Sequence, residues 1–256
     1  MATSESHLLP TLGVALLFAA IFLFGGRAPS AAGRDSHRRF LSFAAGVSVA
    51  YTFVHVLPSL NTIRELQARS PSHSMVFPEH GVYLWTMVGF LAFFGLATMG
   101  NGSQTSGAHG AHRTSASVQW PWLQMGGFAV YTSLLAYMMV WSGKNGWTLG
   151  LFAVAMGLHL FMISSNLGSH YREAYHPRGA RLLAAASLVG WGAAATVELP
   201  VVWLLNVVAF VIGGVVVNAA ITELPQENRG SYGSFLIGAV SYTALLLTLS
   251  HLESAA

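Results

Sequence analysis

Charged residues are absent from eight long stretches of this chain, and this spacing constrains the fold more than any other feature. The charge-free windows are 6–26, 40–63, 80–112, 114–143, 145–171, 182–197, 199–222 and 230–252. A helix needs about 20 apolar residues to cross the hydrocarbon of a bilayer, and seven of the eight windows are that long. Only 8% of the 256 residues are charged, whereas a soluble domain usually has about a quarter. The pattern predicts an all-α integral membrane protein.

We predict eight transmembrane helices in a single membrane domain that occupies residues 1–256. The sixth window is the shortest, so it spans a bilayer only if residues at its ends join the helix, which places Glu198 at the membrane boundary. The first window is expected to be a retained helix rather than a secretion signal, because no Lys or Arg precedes it. The predicted spans are 8–26, 39–60, 81–99, 120–142, 147–170, 181–199, 201–224 and 231–251, with a flexible loop at 100–119.

The basic residues predict the orientation of the chain in the membrane. Nine arginines fall in the loops after the first, third, fifth and seventh spans, whereas the other side receives Arg64, Arg69 and Lys144. Cytoplasmic loops carry the excess of Lys and Arg, so both termini are expected outside. The loop 100–119, which contains His109 and His112, is then cytoplasmic. Eleven arginines against one lysine favour a GC-rich bacterial genome, and hence a bacterial cytoplasmic membrane.

Two segments, 46–58 and 213–225, share a pattern at a constant offset along the chain. Each begins with glycine and ends in Leu-Pro, as GVSVAYTFVHVLP and GGVVVNAAITELP. They fall in the second and seventh predicted spans, which run in opposite directions. This arrangement is typical of the inverted repeats of secondary transporters, whose substrate site lies near the midplane between the halves. The alternative is a chance use of Gly and Leu-Pro at helix ends.

Polar side chains on the second span indicate a pathway, because polar groups in hydrocarbon are costly and usually face a cavity or the bundle interior. Ser48, Tyr51 and His55 share one helical face, since they are spaced by three and four residues. They predict a substrate pathway with His55 near its mouth. The alternative is that His55 makes interhelical hydrogen bonds near the interface, since Pro58 follows three residues later.

His159 lies in the middle of the fifth span and is the most deeply placed ionisable residue. Imidazole is a common ligand of zinc, so His159 is a candidate metal ligand; a neutral, hydrogen-bonded histidine is the alternative. Asn166 and His170 share its face, but His170 lies about 16 Å further along the helix, so other ligands must come from other helices. The fourth and seventh spans offer Tyr131 and Asn218. The sequence contains no recognisable catalytic motif, and we predict that the protein is not an enzyme.

The predicted topology, the inverted repeat and the histidine-containing cytoplasmic loop together resemble the ZIP family of metal transporters. The segment FAAGVSVAYTFVHVLPSL is similar to that family's second span, which often ends in a His-Leu-Leu-Pro-Glu-like run. The segment GGVVVNAAITELPQE is similar to its seventh span, which ends in an acidic-x-Leu-Pro-Glu-like run. The resemblance implies secondary transport of zinc, iron or manganese by alternating access, with zinc as the first expectation.

The family's metal-site motifs are degenerate in this sequence. His159 corresponds to the histidine of the family's His-x-x-x-Glu motif, but Ile163 replaces the glutamate. Tyr131 and Leu135 stand where the fourth span of the family has a histidine and an acid, and Glu198 corresponds to the Glu-Pro feature of the sixth span. The resemblance implies metal ligands at His159, Asn166, Glu198 and His55, a pathway along Ser48, Tyr51, Tyr131 and Asn218, and transient binding at His109 and His112.

Three functions stay open at this point. The first is a ZIP-like transporter of a divalent metal. The second is a non-transporting relative that serves as a sensor or assembly partner, because a divalent ion normally requires several ligands, commonly with carboxylates among them. The third is a transporter of a non-metal solute. The expected partners are lipid and a divalent metal ion as cargo, without nucleic acid or a resident cofactor, and a homodimer is an open alternative.

Overall fold

The computed structural model describes residues 5–25, 34–68, 80–105, 116–143, 146–171, 175–223 and 230–255, and these form helices and short connections with no strand among them. The α-helices are α1 (Glu5–Phe24), α2 (Arg34–Tyr51), α3 (Leu57–Ala68), α4 (Gly81–Thr105), α5 (Ala116–Trp141), α6 (Gly146–His170), α7 (Ala180–Thr196), α8 (Val201–Asn218) and α9 (Tyr232–Ala255). Three π-helical turns accompany them at Thr52–Val56, Tyr175–Gly179 and Ala219–Glu223.

Six helical segments of the described chain are long and apolar enough to cross a membrane. They are Asp35–Ala68, Gly81–Thr98, Pro121–Trp141, Gly146–His170, Val201–Ile221 and Tyr232–His251. The apolar part of α1, Leu8–Phe24, is shorter, and α7 has 17 residues, which corresponds to a rise of about 26 Å. The described part of the chain is therefore all-helical, with helices that can span a membrane. The count of eight spans and the orientation stay predictions.

The predicted loop 100–119 is partly helical. Helix α4 continues to Thr105 and α5 begins at Ala116. Residues 106–115, which include His109 and His112, lie outside the described residues.

The helix of the second predicted span continues through Pro58. The π-helical turn Thr52–Val56 joins α2 to α3, and the N–H of Leu57 donates to the carbonyl oxygen of Thr52, five residues back. A proline inside an α-helix normally removes a hydrogen bond and clashes with the carbonyl one turn earlier. The wider π-helical turn directly before Pro58 shifts the hydrogen-bond register by one residue, so the helix continues to Ala68.

Helices α2 and α9 cross with their backbones in close contact at a pair of glycines. An added Cβ at Gly46 of α2 would overlap the carbonyl oxygen of Phe235 and lie 2.8 Å from the nitrogen of Ala239, both on α9. An added Cβ at Gly238 of α9 would overlap the carbonyl oxygen of Phe43 on α2. Small residues at such crossings let membrane helices approach closely.

Helices α4 and α8 cross in the same way. An added Cβ at Gly213 of α8 would overlap the carbonyl oxygen of Thr86 and lie 2.6 Å from the nitrogen of Phe90, both on α4. An added Cβ at Gly89 of α4 would overlap the carbonyl oxygen of Phe210 on α8. This crossing therefore also has one glycine from each helix.

The two crossings contain the same contacts at corresponding positions. Gly46 of α2 corresponds to Gly213 of α8, and Gly238 of α9 corresponds to Gly89 of α4. The π-helical turns Thr52–Val56 and Ala219–Glu223 are separated by the same offset as Gly46 and Gly213. The first of them contacts α8, and the second contacts α2 and α6. The packing of α2 on α9 is thus repeated by the packing of α8 on α4.

Candidate functional site

Two fully buried hydroxyl side chains from two other helices contact His159, which is also fully buried. The hydroxyl of Ser48, on α2, lies 3.2 Å from Nδ1 of His159 on α6, and the hydroxyl of Tyr131, on α5, lies 2.9 Å from Nε2. A neutral imidazole has one N–H donor and one acceptor nitrogen. One hydroxyl therefore accepts a hydrogen bond from the ring while the other donates one to it. We call Ser48, Tyr131 and His159 the His159 triad.

The helices position each member of the His159 triad through local contacts. Helix α6 packs against α1 and α2, and His159 lies on its buried face between Met156 and Leu160. Thr52, which is also fully buried, donates a hydrogen bond of 2.9 Å to the carbonyl oxygen of Ser48. This bond fixes α2 where the π-helical turn begins, one helical turn beyond Ser48.

The Tyr131 ring also contacts α4 and α8. Its centroid lies 5.2 Å from that of Phe93, and the two rings are edge to face at 70°. Gly214 on α8 leaves room for both rings, since an added Cβ there would lie 2.8 Å from Phe93 and 3.3 Å from Tyr131. Four helices therefore determine the position of the phenol.

Thr132, next to Tyr131, adds a polar atom to the interior. Its side chain is fully buried, and its hydroxyl has no hydrogen-bond partner among the residues that the structure describes. A buried polar atom without a partner is unusual in a native protein. The helical spacing points Thr132 to a different face of α5 from Tyr131.

A row of side chains along α2 and the turn after it leads away from the His159 triad. Tyr51 is buried and stacks on His55, with ring centroids 5.0 Å apart, and His55 is exposed. Tyr242 and Phe152 pack edge to face on Tyr51 at 6.3 and 6.4 Å. The predicted face of Ser48, Tyr51 and His55 therefore extends from the buried triad to an exposed position.

The remaining predicted ligands lie at other places in the described chain. Asn166 is half-buried on α6, seven residues or about 10 Å beyond His159. Glu198 is exposed in the extended connection between α7 and α8. Asn218 is buried as the last residue of α8. The structure therefore brings Ser48 and Tyr131 to His159, whereas Glu198 lies at the surface.

The connection that contains Glu198 is fixed by a tyrosine. The hydroxyl of Tyr137 donates to the carbonyl oxygen of Val197 at 2.8 Å and accepts from the N–H of Leu199 at 3.2 Å. Tyr137 lies six residues, about 9 Å, beyond Tyr131 on α5. The same helix therefore positions both the His159 triad and the connection before α8.

A second buried polar cluster was missed in the sequence. The hydroxyl of Tyr175 lies 2.7 Å from that of Ser164 on α6, and it donates to the carbonyl oxygen of Phe22 on α1 at 3.2 Å. Tyr175 is fully buried, although it lies among charged residues that indicated a loop. Neither spacing nor hydropathy marks such a residue, because its burial depends on the turn that precedes α7.

The side chains around His159 determine what the site can bind. Among the described residues, no three His, Cys, Asp or Glu side chains form a group that could hold a metal ion. The His159 triad supplies imidazole nitrogen and two hydroxyl oxygens, and none of these side chains carries a negative charge. These groups can exchange hydrogen bonds with a polar solute, or provide one nitrogen ligand to a zinc ion whose other ligands include water.

No protein-family model matches this chain, and a comparison with curated proteins finds no match. The resemblance to ZIP transporters therefore rests on the predicted topology and on the motifs of the second and seventh predicted spans and part of the fifth.

Proposed function

We propose that the protein is a secondary transporter of ZIP-like architecture, with eight spans and both termini outside, in a bacterial cytoplasmic membrane. It moves a divalent metal ion, with zinc as the first expectation, by alternating access. The observation that carries this proposal is the repeated helix crossing, in which α2 on α9 is matched by α8 on α4.

The two correspondences support a two-fold repeat, and it is an inverted one because α2 and α8 belong to the second and seventh predicted spans, which run in opposite directions. Gly46 on α2 corresponds to Gly213 on α8, which comes later in the chain. Gly238 on α9 corresponds to Gly89 on α4, which comes earlier in the chain. Each crossing joins a helix of the N-terminal half (α2 or α4) to one of the C-terminal half (α8 or α9). The correspondence therefore relates each half of the chain to the other. A two-fold axis between the halves produces this relation. In secondary transporters with inverted repeats such an axis lies in the membrane plane, and the substrate binds beside it.

The place of His159 supports its role as the central cargo ligand. It lies on α6, which follows α2 and α4 in the chain and precedes α8 and α9. Its hydrogen bond to Ser48 reaches α2, in the N-terminal half. Through Tyr131 its contacts also reach Gly214, in the C-terminal half. A change in the relative position of the two halves would therefore change the contacts of His159. The exposed His55, one turn beyond Tyr51, is an entry or exit position on this account.

One observation favours a second candidate function, the transport of a small neutral polar solute. Both ring nitrogens of His159 are already hydrogen-bonded to hydroxyl groups, and the side chains of the His159 triad carry no negative charge to neutralise a divalent ion. A lining of this kind exchanges hydrogen bonds with a solute that has its own donors and acceptors.

Zinc flux into proteoliposomes tests the proposal. The purified protein is reconstituted with a zinc-sensitive dye inside the vesicles, alongside the variants His159→Ala and His170→Ala. His170 is an exposed histidine on the same helix, so it is the matched control. We expect flux above that of empty vesicles for the wild type and for His170→Ala, and a loss of at least tenfold for His159→Ala. Flux equal to that of empty vesicles in the wild type, or equal flux in both variants, contradicts the proposal.

A further inference from the structure

The two ring nitrogens of His159 have different surroundings. Nδ1 faces the hydroxyl of Ser48, a short side chain on α2, and Nε2 faces the phenol of Tyr131. A histidine that binds a metal almost always uses its other ring N–H to donate to a neighbouring acceptor, which sets the orientation of the ring. Ser48 is placed to accept that hydrogen bond. Nε2 is then the nitrogen that is left for a ligand, and the Tyr131 O–H donates to its lone pair.

The Tyr131 phenol therefore occupies the position that a cargo ion requires. A metal ion binds imidazole through the same lone pair that accepts a hydrogen bond. All three side chains are fully buried, so an ion cannot bind beside the phenol without displacing it.

The Tyr131 ring is also in contact with one of the two helix crossings. Gly213 makes the backbone contact with α4, and its neighbour Gly214 faces the rings of Phe93 and Tyr131. Because the ring fits against a glycine, a small movement of α8 relative to α4 changes the space that the phenol occupies. The crossing and the His159 site are thus joined through one side chain.

We propose that Tyr131 is the gate of the His159 site: its phenol blocks Nε2 in the state seen here, and its contacts with Gly214 and Phe93 couple its departure to the α4–α8 crossing. This rests on the proposed function for the identity of the cargo. Ser48 has the opposite role, because it orients the imidazole for binding.

Nitrogen NMR of ¹⁵N-histidine-labelled protein tests the contact without any cargo, and His159→Asn assigns the signal. Tyr131→Phe removes the hydroxyl, and Gly214→Ala pushes on the ring. Gly157→Ala is the matched control, because its added Cβ meets only the end of Ile21 at 3.4 Å. We expect the Nε2 signal to shift in the first two variants and to stay in place in the control. If Gly214→Ala does not fold, Phe93→Leu replaces it. If the Nε2 signal does not shift in the Gly214 variant or in the Phe93 variant, the coupling is overturned.

Zinc affinity, measured by calorimetry, tests the gate. We expect Tyr131→Phe to bind zinc at least tenfold more tightly than the wild type, because no phenol must be displaced. Ser48→Ala is expected to bind about tenfold more weakly, in line with the loss of an orienting partner. Equal or weaker binding by Tyr131→Phe, with zinc still bound by the wild type, overturns the gate and leaves the proposed function standing. An absence of zinc binding in all of these proteins overturns both.

Discussion

Gly46 and Gly213, the first residues of the two repeated segments, occupy the same place in two helix crossings: each lies where its own helix meets the backbone of another. The two crossings connect the second predicted span with the eighth and the third with the seventh, and no side chain separates the backbones there. In a bilayer, close backbone packing of this kind replaces the hydrophobic effect as a source of helix association. The two glycines are therefore expected to matter equally for stability.

Replacement of either glycine by alanine should destabilise the fold to a similar extent. An added Cβ overlaps a backbone carbonyl oxygen in both cases, and overpacking of this kind costs about 1–3 kcal/mol. The free energy of unfolding in detergent, measured for Gly46→Ala and Gly213→Ala, checks this.

Gly95→Ala is the matched control for these substitutions, because an added Cβ at Gly95 of α4 has no atom within 4 Å among the described residues. Alanine favours a helix over glycine by about 1 kcal/mol, so this variant should be unchanged or slightly more stable. If all three variants behave alike, the glycine crossings do not hold the halves together.

Removal of the Tyr175 hydroxyl should weaken the contact between α1, α6 and α7. Tyr175→Phe leaves the buried Ser164 hydroxyl and the carbonyl oxygen of Phe22 without this partner. Hydrogen bonds between membrane helices contribute about 1–2 kcal/mol at most, so a loss of that order is expected in the unfolding free energy. Tyr232→Phe, at an exposed tyrosine of α9, should show no loss, and an equal effect of both substitutions would argue against a structural role of Tyr175.

The two ends of the long second helix should lie on opposite sides of the membrane. The helical segment Asp35–Ala68 has 34 residues and a rise of about 51 Å, well beyond the roughly 30 Å of hydrocarbon. The chain has no cysteine, so Glu65→Cys and Asp35→Cys each introduce a single thiol at an exposed position. With both termini outside, an impermeant maleimide should label Glu65→Cys in spheroplasts, and label Asp35→Cys only after permeabilisation. The reverse pattern would overturn the predicted orientation.

The helical membrane class could be predicted because a bilayer excludes charge from long stretches of sequence. The same reasoning identified His159 as a deep residue, since its distance from both ends of a span can be counted. The partners of His159 could not be derived in this way. The periodicity of α2 places Ser48 on one face, but it does not show which helix that face meets.

Other features depend on backbone geometry that has no residue signature. The π-helical turn Thr52–Val56 lets a helix continue through Pro58, although proline usually indicates a helix boundary. The close contacts of Gly46 and Gly213 follow from the crossing of helices far apart in sequence, and the constant offset between the two repeated segments was their only trace. Glu198 could be placed at a helix end, but its exposure follows from the extended connection after α7.

Zinc binding by the purified protein tests most directly the claim that His159 holds the cargo. Metal content and calorimetry are compared for the wild type, His159→Ala and the exposed control His170→Ala. The account predicts one zinc ion per chain in the wild type and in His170→Ala, and none in His159→Ala. A wild type that binds no zinc, or a His159→Ala variant that binds it equally well, would contradict the account.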